Sequence, residues 1–482
     1  MDFSDYRSHD GIALAELLAK GEISPREAMA CAIDGAETYG KACNAITYPR
    51  YEAALAEAGK RTPGAGRFDG VPFLLKDAGL ASTDLPTSIG SRLFEGTTSP
   101  ADATLTKRFR EAGFITFGRT TSPEMGMAPT TEAVRYGGPT RNPFDLTRSS
   151  GGSSGGAGVA VASGIVPVAH GSDGGGSIRI PAACCGVFGL KPSRGRIPMG
   201  PFRGEGWGGL ACDGVLSRSV RDTARVFDLV GGMEPGAPYA APGWDDGFEA
   251  GLTKAFDRPL RIAVWDDPWG RPVAEEPRAV LAATARACEA LGHEVVRISP
   301  PEFDYDAFVT VMITVMSANA AVSVRNKLAG ENREATEDDL EPAILDAYRR
   351  GIALKAPDYI DAINLSHATA RMMARMIADY DFILTPTLTK LPLELGWLSM
   401  AEPDFVAFRT RAGQYTPFLA IINASGQPAA NLPMGRAGNL PVGVQAIGHF
   451  GRDDMVLRLA AQLETTDLWT NAARWPVLPD AG

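Results

Sequence analysis

The pattern of apolar and polar positions changes period several times along the chain, and each change marks an element. Between residues 10 and 37, Ile12, Leu14, Leu17 and Leu18 recur at helical spacing and Gly21 closes the run. Ser24-Pro25-Arg26-Glu27 supplies an N-cap, a first-turn proline and a capping-box glutamate, which predicts a second helix. GVPFLLKDAG (70–79) is an apolar run ending in Lys76 and predicts a strand. ATLTKRFREAG followed by FITFGRT (103–120) predicts a helix and then a strand, and TTSPEMGMAPTTE (120–132) a loop. SRSVRDTARVFDLVGG (217–232) predicts a helix. LRIAVWDD (260–267), a helix through about 276–291 and HEVVRIS (293–299) predict strand, helix and strand. Residues 303–380 are mostly helical, with the charged run Glu331–Glu341 as a solvated face. YDFILTPTL (380–388) predicts a buried strand, and INASGQPAANLPMG (422–435) and LPVGVQAIG (440–448) predict loop-plus-strand pairs. The strand–helix–strand order argues for an α/β architecture.

One stretch breaks every period. Residues 151–182 read GGSSGGAGVAVASGIVPVAHGSDGGGSIRIPA, with two glycine-rich turns, Gly151–Gly158 and Gly171–Gly176, around an apolar segment. Nineteen of the 54 glycines lie between residues 151 and 214. Such density is costly in chain entropy. It belongs where backbone N–H groups point at a ligand or where no Cβ fits. The second turn ends on Ser177, and small residues before a serine expose its hydroxyl and aim neighbouring amides at one point, as an oxyanion hole requires. A linker would be polar on both sides. A phosphate-binding P-loop would need a lysine, and none lies between Lys107 and Lys191. Gly204-x-Gly206-x-x-Gly209 has dinucleotide-binding spacing without the preceding strand or the βαβ unit.

Composition narrows the class. Across 482 residues, 45% are apolar and 22% charged, which suits a globular protein with a large core. Net charge is −10, from 47 basic and 57 acidic residues, with no basic block, so nucleic acid is not an expected partner. The six cysteines form no C-x-x-C and no disulfide framework, and are expected as buried free thiols in a reducing cytoplasm. The five histidines form no metal-binding spacing, so no metal or other cofactor is expected. The amino-terminal residues do not read as a signal peptide, and no apolar run approaches membrane-spanning length.

Two chemical readings arise from the residues themselves. Lysine is scarce, ten against 37 arginines, so Lys76 behind Val71-Pro72-Phe73-Leu74-Leu75 is a candidate for burial. A lysine ending a strand more ordinarily keeps its head in water. Gly151-Gly152-Ser153-Ser154-Gly155 satisfies G-x-S-x-G, which would make Ser153 the nucleophile of an α/β-hydrolase-type esterase served by His367 or His449. That motif calls for a preceding strand, which TRNPFDLTRSS does not predict. His170 reads as a structural residue.

The stretch GGSSGG…D-x-GGSIR-x-PA resembles the signature of the amidase signature family over some thirty residues at fixed spacing. The resemblance implies an α/β fold with a single large mixed twisted β-sheet covered by helices on both faces. It implies one domain over 1–482, with a catalytic core at about 66–215 and 376–470 and a helical elaboration at about 233–375. It implies an amidohydrolase in which Lys76, matching the family's G-V-P-x-x-x-K-D segment, is the base, Ser153 a bridging serine after a cis Gly152–Ser153 bond, and Ser177 the nucleophile. The amides of Gly174, Gly175, Gly176 and Ser177 would bind the oxyanion, Ser154 would be a supporting hydrogen-bond partner, and Asp173 and Arg179 would hold the turn. Where the family commonly has threonine or a bulkier residue after the aspartate, this chain has Gly174. Met125 and Met127 would suit an adaptable apolar pocket wall, with Met125 the candidate substrate contact. The S-G-Q-P-A and L-T-P-T segments are similar to those of bacterial members acting on aryl amides and nylon-type oligoamides. The expected partner is therefore a small or medium apolar or aryl amide, with esters and carbamates (urethanes) open to the same acyl-enzyme route. Cyclic or linear 6-aminohexanoate-type oligoamides and a glutaminase subunit of a tRNA-dependent amidotransferase remain alternatives. A homodimer is left open.

Overall fold

The apolar run before Lys76 is buried on every residue and forms the strand Pro72–Lys76. It pairs in parallel with Ile115–Thr120, reached through the helix Thr104–Glu111, and that strand pairs antiparallel with Ile46–Thr47. In this computed structural model the described residues are 1–482 apart from 63, 65–66, 244–245 and 479–482. The amino-terminal helices fall where the caps place them. Gly11–Lys20 starts on the Asp10 carboxylate and ends on Gly21 in the left-handed region, and Pro25–Gly35 starts on the Ser24–Glu27 capping box.

Eight strands form the large mixed sheet, in the order 294–297, 261–264, 382–386, 440–447, 429–437, 188–191, 212–217 and 168–173. The first three run parallel and every other pairing is antiparallel. Helices flank the sheet, giving the expected α/β architecture. Lys76 itself lies on the separate three-stranded sheet, beside the edge strand Val168–Asp173 of the large one.

Three expectations change. The first glycine-rich stretch, Gly151–Gly158, is a turn only in its first half, and from Gly155 it becomes the helix Gly155–Ala162, buried on all eight residues, as a helix without a polar face must be. Its glycines serve close packing. A Cβ on Gly156 would lie 2.5 Å from the carbonyl oxygen of Ala45 and the nitrogen of Thr121. The strand Asp145–Ser149 does precede Ser153, paired with Arg141–Asn142, so the absence of a strand is no argument against the G-x-S-x-G reading. The region 233–375 is also not purely helical. Arg261–Val264 and Glu294–Arg297 are sheet strands joined in parallel by the helix Glu275–Ala290, and the helical layer is Tyr305–Lys327, Pro342–Ala353 and Ala356–Ile377. Tyr305–Lys327 has the length and hydropathy of a membrane span, but Phe308, Val311, Met312, Val315 and Met316 are buried in the core.

Candidate active site

Lys76 ends its strand with its side chain wholly buried. Its Nζ donates to Ser153 Oγ at 2.6 Å and to Ser172 Oγ at 2.9 Å. Among the described residues no carboxylate lies within ion-pair distance of it. Burial pushes its pKa down to about 7, against the pull of Asp213 and Asp173. Its remaining bond, to the Ser172 carbonyl, is a long 3.5 Å, so this buried amine has only neutral partners and can be neutral near physiological pH and accept a proton.

The backbone of this lysine is held as well. Its N–H donates to His170 Nδ1 at 3.2 Å, so the ring proton sits on Nε2 and is donated to Asp213 Oδ1 at 3.2 Å. Burial pushes the His170 pKa down and keeps the ring neutral. Arg203 meets the other Asp213 oxygen at 3.3 Å. His170 is thus structural, but it positions the end of the lysine strand.

Ser153 follows a cis bond to Gly152. Ser154 supports the neighbouring loops. Its Oγ donates to the Ser172 carbonyl at 3.3 Å, and its N–H donates to the Ser177 carbonyl at 3.2 Å, so the two serine loops are tied by backbone. Ser177 is 8% exposed and borders a narrow cavity open to solvent. No hydrogen bond joins the Ser177 and Ser153 hydroxyls among those of the described residues.

Asp173 and Arg179 hold the turn between them. Both are fully buried, and two bonds of 2.9 and 3.0 Å join guanidinium to carboxylate. Arg179, with help from Asn423, holds the Asp173 pKa far below the usual carboxylate range despite burial. The carboxylate also accepts the N–H groups of Gly176 at 2.7 Å and Ile178 at 3.1 Å. This corrects one expectation. The Gly176 amide is engaged by Asp173, so the donors without an acceptor among the described hydrogen bonds are those of Gly174, Gly175 and Ser177. Of these, Gly175 and Ser177 border the cavity.

Met125 is a second correction. It sits in the left-handed region (φ 51°) and packs against the hydrophobic core, while Gly126 and Met127 line the cavity. Met125 is not among the residues that line the cavity. Sequence reasoning also missed Ser172, Asn423, Gln445, Trp207 and Arg409. Gln445, which accepts from Arg179 Nη1 at 2.6 Å, left a signal as a lone amide inside the apolar run LPVGVQAIG. Trp207 and Arg409 come to the cavity from distant segments and left none.

A family model described as Amidase matches residues 27–457. The chain belongs to the amidase family. The 6-aminohexanoate-cyclic-dimer hydrolase of Paenarthrobacter ureafaciens is 36% identical over 97% of this chain and 96% of its own. A solved structure of 6-aminohexanoate cyclic dimer hydrolase superposes with a TM-score of 0.90, at 35% identity, over 97% of this chain and 98% of that one. A bacterial aryl acylamidase structure of the amidase signature family superposes with a TM-score of 0.87, at 26% identity, over 97% and 98%. This amidase is accordingly a hydrolase acting on carbon–nitrogen bonds other than peptide bonds. The α/β-hydrolase reading of Ser153 loses its base. The basic group bonded to Ser153 is Lys76, while His449 bonds the Tyr380 carbonyl at 2.8 Å and His367 is exposed on the helix Ala356–Ile377.

Proposed function

We propose that this amidase cleaves amides through Ser177, Ser153 and Lys76. Ser177 Oγ attacks the carbonyl carbon while its proton passes to Ser153 Oγ, which gives its own proton to neutral Lys76 Nζ. The carbonyl electron pair moves to oxygen, held by the N–H groups of Gly175 and Ser177. The carbon–nitrogen bond then breaks as the Lys76 ammonium returns a proton through Ser153 to the leaving amine. Water repeats the sequence on the acyl-enzyme and releases the carboxylic acid. The observation that carries this reading is the 2.6 Å bond from a buried, carboxylate-free Lys76 to Ser153.

The cavity supports a substrate with an apolar or aryl part, because Met127, Trp207, Met312 and Met316 line it and methionine walls adapt to shape. The similarity to 6-aminohexanoate-cyclic-dimer hydrolases favours an oligoamide within that class. Esters and carbamates would use the same acyl-enzyme. The test is covalent labelling by a fluorophosphonate probe. Ser177→Ala should abolish it, while Ser153→Ala should slow turnover severely and keep the nucleophile. Persistent labelling of Ser153 in the Ser177→Ala protein would overturn the assignment. A parallel screen of anilides, linear and cyclic oligoamides, carbamates and glutamine sorts the substrate class.

A further inference from the structure

The cavity beside Ser177 carries one charge. Its lining is otherwise apolar or uncharged, and the exception is Arg409, on the helix Phe405–Tyr415. A guanidinium presents five N–H donors. For Arg409 the bond recorded among the described residues is Nη1 to the Met127 carbonyl, at a long 3.3 Å, and its buried Nε has no acceptor.

Other arginines show how unusual this is. The described arginines with a buried, unbonded Nε are Arg61, Arg135, Arg148, Arg409 and Arg411. Arg61, Arg135, Arg148 and Arg411 each face a carboxylate within 4 Å, namely Asp69, Glu95, Asp145 and Glu402. Arg409 has no such partner among the described residues. Fully buried Arg119 bonds the carbonyls of Pro86, Lys76, Leu80 and Leu85, and Arg179 bonds Asp173. Burial lowers the Arg409 pKa to about 10, with Tyr305 opposing, so the group stays cationic at neutral pH. Arg409 is half-buried, and a cation whose Nε is shielded from water with no acceptor is costly unless an anion completes it.

We infer that Arg409 is a substrate-binding residue that receives a carboxylate carried by the amide substrate. The enzyme would then prefer acidic amides, such as hemiamides of dicarboxylic acids or linear ω-amino-acid oligomers with a free carboxyl end, over uncharged or cyclic analogues. This rests on the amidase reading above and names the substrate within it. The geometry suits it, because guanidinium and carboxylate pair through two parallel hydrogen bonds. The apolar wall of Trp207, Met312 and Met316 fits a hydrocarbon spacer between that carboxylate and the scissile amide.

The test compares initial rates on matched pairs. One series is the 4-nitroanilides of succinic, glutaric and adipic hemiamides against anilides of the same chain length ending in methyl or in carboxamide. The other is linear against cyclic 6-aminohexanoate dimer. We expect wild type to favour the acid by at least tenfold in kcat/KM for one spacer length, mainly through KM. In Arg409→Met the acid-to-neutral ratio should fall toward one, and Arg409→Lys should keep part of it. A wild-type enzyme that cleaves neutral anilides as well as acidic ones at every spacer length overturns the proposal without needing any variant to fold. So does an Arg409→Met enzyme impaired equally on both, which is the mark of a structural arginine. Equal preference for carboxamide and carboxylate would show that Arg409 reads a carbonyl rather than a charge, and also overturns it. Failure on every amide would instead remove the amidase reading beneath it.

Discussion

Trp207 stands where a side chain on residue 174 would go. A Cβ built on Gly174 would lie 2.7 Å from Trp207 Cε3 and 2.9 Å from Cζ3, closer than real contacts allow. The departure from the family pattern at Gly174 thus has a physical partner. The indole, held at a positive φ of 54°, fills the space beside the oxyanion turn and forms part of the cavity wall.

Gly174→Thr should therefore drive the indole out of place and lower kcat/KM at least tenfold, since overpacking typically costs about 1–3 kcal/mol. Trp207→Gly suits the backbone at that position and removes the clash. The double variant should be less impaired than Gly174→Thr would suggest from adding the single effects. A double-mutant cycle in kcat/KM and melting temperature measures the coupling, and strict additivity would mean the two residues do not compete for space.

Lys76 should set the alkaline-rising limb of the pH–rate profile. With its pKa lowered to about 7, activity should rise through neutral pH and level off once the proton is lost. Lys76→Arg keeps a cation that cannot deprotonate, and should lose at least ~10²-fold in turnover together with the limb. The stability effect has a definite sign. Between about pH 7 and the ordinary lysine pKa the unfolded chain binds more protons, so wild-type stability gains on Lys76→Met as pH rises through that window. Thermal melts at pH 6 and pH 10 read this. Near-wild-type turnover of folded Lys76→Arg would leave the proton acceptor unassigned.

Asp213 holds the Lys76 pKa up by its charge. Asp213→Asn should shift the rising limb to lower pH, because less attraction remains for the ammonium form. Removing the ring in His170→Leu leaves the Lys76 N–H and Asp213 Oδ1 without their partner in the core, while Arg203 still meets Asp213 Oδ2, a loss of about 1–3 kcal/mol per orphaned group. Turnover should fall while probe labelling of Ser177 persists. An unchanged limb in Asp213→Asn would show that burial alone tunes the lysine.

Glu124 lies buried beside Glu341, whose N–H donates to its Oε2 at 2.7 Å. Burial and the neighbouring carboxyl push its pKa up to about 8. A carboxyl raised in the folded state stabilises fully below its unfolded pKa and loses that contribution as pH rises through the folded one. Glu124→Gln keeps the acceptor and cannot ionise, so its melting temperature should exceed wild type by a margin that grows from pH 5 to pH 9. A margin constant with pH would mean that Glu124 does not titrate there.

The sequence alone determined the local features. Caps and prolines placed the first helices, and the unbroken apolar run placed the strand of Lys76, because short-range sterics and burial period act over a few residues. The glycine-rich turn marked Ser177, and the resemblance of the surrounding stretch to the amidase signature marked Ser153, Ser154, Asp173 and Arg179. Tertiary structure decided what those residues meet. Lys76 and Ser153 lie 77 positions apart, and their hydrogen bond exists only because a small three-stranded sheet docks beside the edge of the large one. The Gly176 amide looked free in sequence and is taken by Asp173, and Met125 packs against the core while Met127 lines the cavity. Trp207 and Arg409 were invisible beforehand. A cavity wall is assembled from helices and loops hundreds of residues apart, and no local pattern records which of their side chains will share it.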